Sequence, residues 1–175
     1  MSSDRAERRG SVLAYDDFEN SLPRDARLIG IDVGTKTLGL ALSDVTRTIA
    51  SGLVTLRRRK LADDLGRVLE LAGRLGVGGF VIGLPLNLDG SSGPRAQATR
   101  AFARNLAKQA PFPILLWDER LSTAAAERSL LEADASRRRR AAVIDKVSAV
   151  WILQGALDRM SVARRSPARD PEAQA

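Results

Sequence analysis

The stretch RLIGIDVGTKTLGLALS, residues 27–43, decides the fold. Two short apolar runs, 27–33 and 38–43, flank the polar break Gly34–Thr37. Runs this short, bounded by glycine, fit strands, and the break fits a hairpin turn. A third run, IASGLVTL at 49–56, follows after a brief polar connection. Three strands joined without helices imply an antiparallel meander.

Beyond this meander the period changes. Leu61, Leu65, Val68, Leu69, Ala72 and Leu75 recur at helical spacing over about 60–75, and Gly76 supplies a stop. GFVIGL at 79–84 reads as a buried strand. Ser92 as cap and Pro94 in the first turn open a second helix, with Ala98, Phe102 and Leu106 on its stripe and Pro111 at its end. PILLW at 113–117 is a strand. Ser122 or Thr123 caps a helix to about 133, and a basic loop, Arg137–Arg140, precedes a last helix at about 141–158.

The order β-β-β-α-β-α-β-α-α predicts an α/β fold with a mixed five-stranded sheet. Its first three strands form the meander, and the later ones run parallel to the first through right-handed crossovers. Helices should cover both faces, because 79–84 and 113–117 are apolar without alternation. Residues 1–26 are polar and read as a disordered or loosely attached extension, 27–160 as the folded domain and 161–175 as a flexible tail.

Composition narrows the chemistry. The 175 residues include no cysteine and no histidine. That excludes a disulfide framework, a Cys/His zinc site, a cysteine nucleophile and a Ser-His-Asp triad. Any acid–base or metal chemistry must rest on carboxylates, lysines, hydroxyls or the backbone. A net charge of +7 and a pI near 10.9 suit a polyanionic partner. No apolar run approaches a membrane span, and the N-terminus lacks the apolar stretch of a signal peptide, so a cytoplasmic location is expected.

Three carboxylates stand out. Asp32 ends the first apolar strand, among isoleucine, valine and glycine, where a bare charge is costly unless paired or bound to a cation. Its plainer role is a turn aspartate bonding its own backbone. Glu119 follows the strand 113–117, where it could simply favour the next helix dipole. Asp145 has Ala149, Ile152 and Ala156 after it at helical spacing, and could be only an N-cap or first-turn residue. Together they offer oxygen ligands for magnesium or manganese in a chain without histidine. Two such ions could assist phosphodiester cleavage.

Other residues could support that chemistry. Thr35 and Lys36 lie beside Asp32. Asn87, Gly90 and Ser91 lie in a loop whose backbone N–H groups could cradle phosphate ahead of a helix. Arg120 and the run Arg137, Arg138, Arg139, Arg140 are candidates for nucleic-acid backbone contact, each weighed against an ordinary salt bridge or solvated loop. Trp117 and Trp151 sit among aliphatic residues and suit the core better than base stacking.

The segments DVGTKTLGLALSD (32–44), VIGLPLNLDGSSGPRAQ (81–97), WDERLSTAAAE (117–127) and IDKVSAVWIL (144–153) resemble the YqgF/RuvX family in order and content. Its members are described as Holliday-junction-resolvase-like or as pre-16S ribosomal RNA nucleases. The resemblance spans about 27–158. It implies a ribonuclease-H-like fold and places Asp32, Glu119 and Asp145 on the family's three acidic active-site positions. It also implies a metal-dependent nuclease using Mg2+ or Mn2+, acting on structured RNA (pre-16S rRNA) or branched DNA. Contacts with the pre-ribosome and a monomer or homodimer are compatible with it, and no membrane is involved. Two other classes compete. Asp-x-Gly-Thr at 32–35 also matches ATP-binding phosphotransferases, though no second phosphate motif is evident. A non-catalytic nucleic-acid-binding factor in ribosome maturation or transcription would need the basic residues and not the carboxylates.

Overall fold

In the computed structural model, residues 10–121 and 137–165 are described, excepting the side chains of 137–145 and 165. The meander forms as its pattern dictates. β2 (Arg27–Val33) pairs antiparallel with β3 (Thr37–Ser43), and β3 with β4 (Ala50–Arg57). β5 (Val77–Leu84) then lies parallel to β2, and β6 (Pro113–Asp118) parallel to β5. Every residue of β5 is buried, as expected for a strand covered on both faces.

The sheet has six strands in the order β1-β6-β5-β2-β3-β4, one more than expected. The extra strand, β1 (Ser11–Leu13), pairs parallel with β6. Its residues fall within the segment expected to be a loose extension. That expectation fails for residues 10–21: α1 (Tyr15–Ser21) follows β1 and buries Phe18 completely. A short strand and a single deeply inserted ring carry little periodicity, so the polar surroundings hid them.

Helices pack on both faces. α2 (Leu61–Leu75) and α3 (Pro94–Gln109) cover one face through Leu65, Val68, Phe102 and Leu106 against Ile29, Ile31 and Phe80. The opposite face is covered by α1 and the last helix, α4 (Arg137–Arg165), through Phe18, Ala149, Ile152, Leu153 and Met160. Gly76 ends α2 in the left-handed conformation, as a helix-stopping glycine should. At the start of α3, Pro94 occupies the first turn, but the cap is Gly93 without a side-chain bond, not Ser92.

α4 differs from its expected form. Arg137–Arg140 is helical, not a loop, and the helix continues to Arg165. Arginine is a good helix former, and the alanine-rich sequence that follows continues the same structure. The helix expected from Ser122 or Thr123 to about 133 lies outside the described residues. Among the described residues, no helix is long and apolar enough to cross a membrane.

Candidate active site

Parallel pairing of β2, β5 and β6 brings their C-terminal ends to one edge of the sheet. Gly30 faces α4: a Cβ there would lie 2.6 Å from Leu153 Cβ and 2.9 Å from the Ala149 carbonyl oxygen. Asp32, two residues on, points to the same face and is half-buried. Its neighbour across β5 is set by the register. Ile31 pairs with Ile82, so Asp32 and Gly83 stand side by side one step further on, about 5 Å apart by strand spacing.

Glu119 meets this place from β6. Gly83 pairs with Trp117, and the chain then turns into a short 3-10 segment, Glu119–Leu121. The Glu119 carboxylate folds back over β5, so that a Cβ on Gly83 would lie 2.6 Å from its Oε1. Strand alternation sends Asp118 to the other side, where it pairs with Arg120 at 2.6 Å. Trp117 is buried against Gly155 of α4, in the core role expected of it.

Asp145 lies in α4 one turn before Ala149, whose carbonyl approaches Gly30. Because α4 is already helical from Arg137, Asp145 is neither an N-cap nor a first-turn residue, which removes the plainer reading of it. Its side chain, and those of Arg137, Arg138, Arg139 and Arg140, lie outside the described residues.

The turn after Asp32 is braced by residues that the sequence pattern did not single out. Gly34 N–H donates to the Thr37 carbonyl at 3.0 Å, closing the turn that exposes Thr35 and Lys36. Arg58, the residue after β4, holds it: its backbone N–H donates to the Lys36 carbonyl at 2.8 Å and its guanidinium to the Gly34 carbonyl at 2.9 Å. Arg58 is in turn bonded to Asp64, which is fully buried at the start of α2. Asp64 also accepts from the Arg59 N–H at 3.0 Å and from Arg67 at 2.5 Å. Burial alone would raise the Asp64 pKa, but these donors outweigh it and hold the carboxyl below the usual range. One signal was available: Asp64 stands on the apolar stripe of α2, three residues after Leu61 and four before Val68.

The loop between β5 and α3 is organised inwardly. Asn87 N–H donates to the Ser91 carbonyl, Gly90 N–H to the Asn87 carbonyl, and Ser91 N–H to the Asp89 carboxylate. The amides of Asn87, Gly90 and Ser91 are thus used within the loop, against their expected role as a phosphate cradle. Gly90 takes a φ of 84°, which glycine adopts readily. Arg120 donates to the carbonyls of Asn87 and Leu88 while gripping Asp118, tying this loop to the end of β6. Its hydrogen bonds to Asp118 hold that carboxyl below the usual range.

The residues present suit a hard divalent cation. The donors are carboxylate oxygens, and the missing side chain at Gly83 leaves space that the Glu119 carboxylate enters. Among the described residues, no three acidic, histidine or cysteine side chains form a ligand cluster.

Comparison with known proteins adds an independent line. The RuvX family, described as Holliday junction resolvase, matches residues 26–159. A Rhodobacter capsulatus protein named pre-16S rRNA nuclease is 58% identical over 146 residues, 83% of this chain and 92% of its own. One of the same name from Nitrobacter winogradskyi is 54% identical over 156 residues, 89% of this chain and 96% of its own. Among solved structures, Thermus thermophilus RuvC in complex with a Holliday junction substrate aligns with a TM-score of 0.51 at 16% identity, covering 78% of this chain and 96% of that one. That likeness concerns the fold alone, the ribonuclease-H-like fold expected from the sequence.

Proposed function

The chain belongs to the RuvX family, and from that premise we propose that it is a metal-dependent endonuclease that processes the 5′ end of pre-16S ribosomal RNA in the cytoplasm. The observation that carries this reading is the Glu119 carboxylate lying over Gly83, one strand from Asp32. Two carboxylates on the same face at one sheet edge suit phosphodiester hydrolysis, because a divalent cation held by both offsets their mutual repulsion.

In this reading Asp32, Glu119 and Asp145 hold magnesium or manganese. The bound ion supplies Lewis-acid stabilisation of the charge that builds on the phosphoryl oxygens. Asp32 is fixed by its strand on both sides, and Glu119 by the short turn after β6. The brace from Arg58 keeps the Gly34–Thr37 turn rigid, so that Lys36 and Thr35 face solvent where a phosphate would lie. With Arg120 engaged on Asp118, its role is to hold the neighbouring loop, and Lys36 remains the better candidate for phosphate contact.

The description of the family favours a second substrate, a four-way DNA junction. One experiment separates the two. Wild-type protein and Asp32→Asn are incubated with a 16S-precursor RNA fragment, a four-way DNA junction and plain duplex DNA, each with manganese, magnesium or chelator. Metal-dependent cutting of the RNA, lost in the variant, supports the ribonuclease. Symmetric cutting of the junction moves the substrate to DNA. Equal binding by both proteins with no cutting turns the reading towards a non-catalytic binding factor.

A further inference from the structure

The run Arg57-Arg58-Arg59-Lys60 leaves β4 at the same sheet edge as Asp32. Register fixes where it lies. Asp32 pairs with Gly39 and Gly39 with Thr55, so these three share a face; Thr37 and Arg57, two residues along, pair on that face too. Arg57 therefore stands two strands from Asp32, roughly 10 Å to the side, on the face that carries both carboxylates.

The run divides in its duties. Arg58 turns inward to Asp64 and the Gly34 carbonyl. Arg57, Arg59 and Lys60 are exposed, and no hydrogen bond or ion pair among the described residues engages their side chains. Yet their backbone is held tightly. The Arg57 carbonyl accepts from Arg67 at 2.8 Å, and the Arg59 N–H donates to Asp64. Arg67 itself bonds to Asp64, so one fully buried carboxylate anchors the whole segment. From 57 to 67 there are five cationic side chains against Asp63 and Asp64. Burying a carboxylate is costly. Here it fixes three outward cations relative to the turn that follows Asp32.

We propose that Arg57, Arg59 and Lys60 form a preorganised phosphate-binding edge that grips the nucleic-acid backbone to one side of the scissile bond, with Asp64 as the positioning residue. The location of the scissile bond rests on the nuclease reading; the binding edge itself does not. A backbone running from Asp32 across β3 to β4 would meet these cations in succession. Holding them in place lowers the ordering cost of binding.

The test measures binding with chelator present, so no cutting is required. A labelled 16S-precursor RNA fragment and a four-way DNA junction are titrated over a salt series. The triple variant Arg57→Gln, Arg59→Gln, Lys60→Gln is compared with Arg74→Gln, Arg104→Gln, Lys108→Gln, which removes equal charge from the far end of α2 and from α3. The first should bind about tenfold or more weakly, with the salt slope reduced by about 2, while the control changes much less. Equal losses in both would mean that net charge alone matters, and an unchanged first variant would mean no contact; either overturns the proposal. Asp64→Asn retains every cation and should still weaken binding; unaltered affinity in the folded variant removes its positioning role. If that variant does not fold, Arg67→Gln, which frees the Arg57 carbonyl, takes its place. Failure of Asp32→Asn to abolish cutting would count against the nuclease reading and leave this result standing.

Discussion

Glu119 and Gly83 fit together as a carboxylate and the space made for it: Oε1 lies 2.6 Å from where a Cβ on residue 83 would be. A Cβ there would force a side chain to shift, and Ile152 Cδ1 of α4 lies nearer still. The glycine thus leaves room for two side chains at once, the Glu119 carboxylate and the end of Ile152, and its backbone conformation is ordinary.

Gly83→Ala should displace the Glu119 carboxylate and push on Ile152. Overpacking of this kind costs about 1–3 kcal/mol in stability. Cleavage should fall by about tenfold or more, since a misplaced group costs on that scale. Melting and metal-dependent cutting, measured below the melting transition, check this together. Wild-type activity in Gly83→Ala would mean that the Glu119 carboxylate works without the space at residue 83.

Asp64→Ala should destabilise the fold by about 3 kcal/mol, because Arg58 and Arg67 lose the buried charge they share. The pH dependence has a definite sign. The folded pKa lies below the unfolded value, so the contribution is complete above about pH 4 and is lost as pH falls through the lowered folded pKa. Chemical denaturation of wild type and variant across acidic pH should converge at the low end. A constant gap would mean that packing, not charge, carries the effect.

Phe18→Ala should cost about 3–5 kcal/mol, as for a large buried ring in any core. Deleting residues 1–21 should then lower the melting temperature markedly. If truncation leaves the melting temperature unaltered, α1 is dispensable to the domain despite its buried ring.

Arg120→Gln should release the 87–91 loop from β6 while leaving the melting temperature nearly unchanged, since the ion pair is exposed. Faster hydrogen exchange at Gly90 and Ser91 is the expected readout. A reduced salt slope for RNA binding with exchange unaltered would instead assign Arg120 to the phosphate backbone.

The sequence by itself determined the meander, the parallel strands that follow, and a chemistry limited to oxygen ligands. Strand and helix periods are written in near-neighbour residues, and the absence of histidine and cysteine is a fact of composition. Local pattern also misled in places. Arg137–Arg140 read as a charged loop but is helical, because a run of one charge does not prevent helix formation. Only the tertiary structure decided that Gly83 makes room for Glu119, that Asp64 is buried under three arginine-bearing contacts, and that Phe18 completes the core beneath α4. Each of these joins residues far apart in the chain. Such contacts depend on strand register and helix packing, which no short-range period encodes.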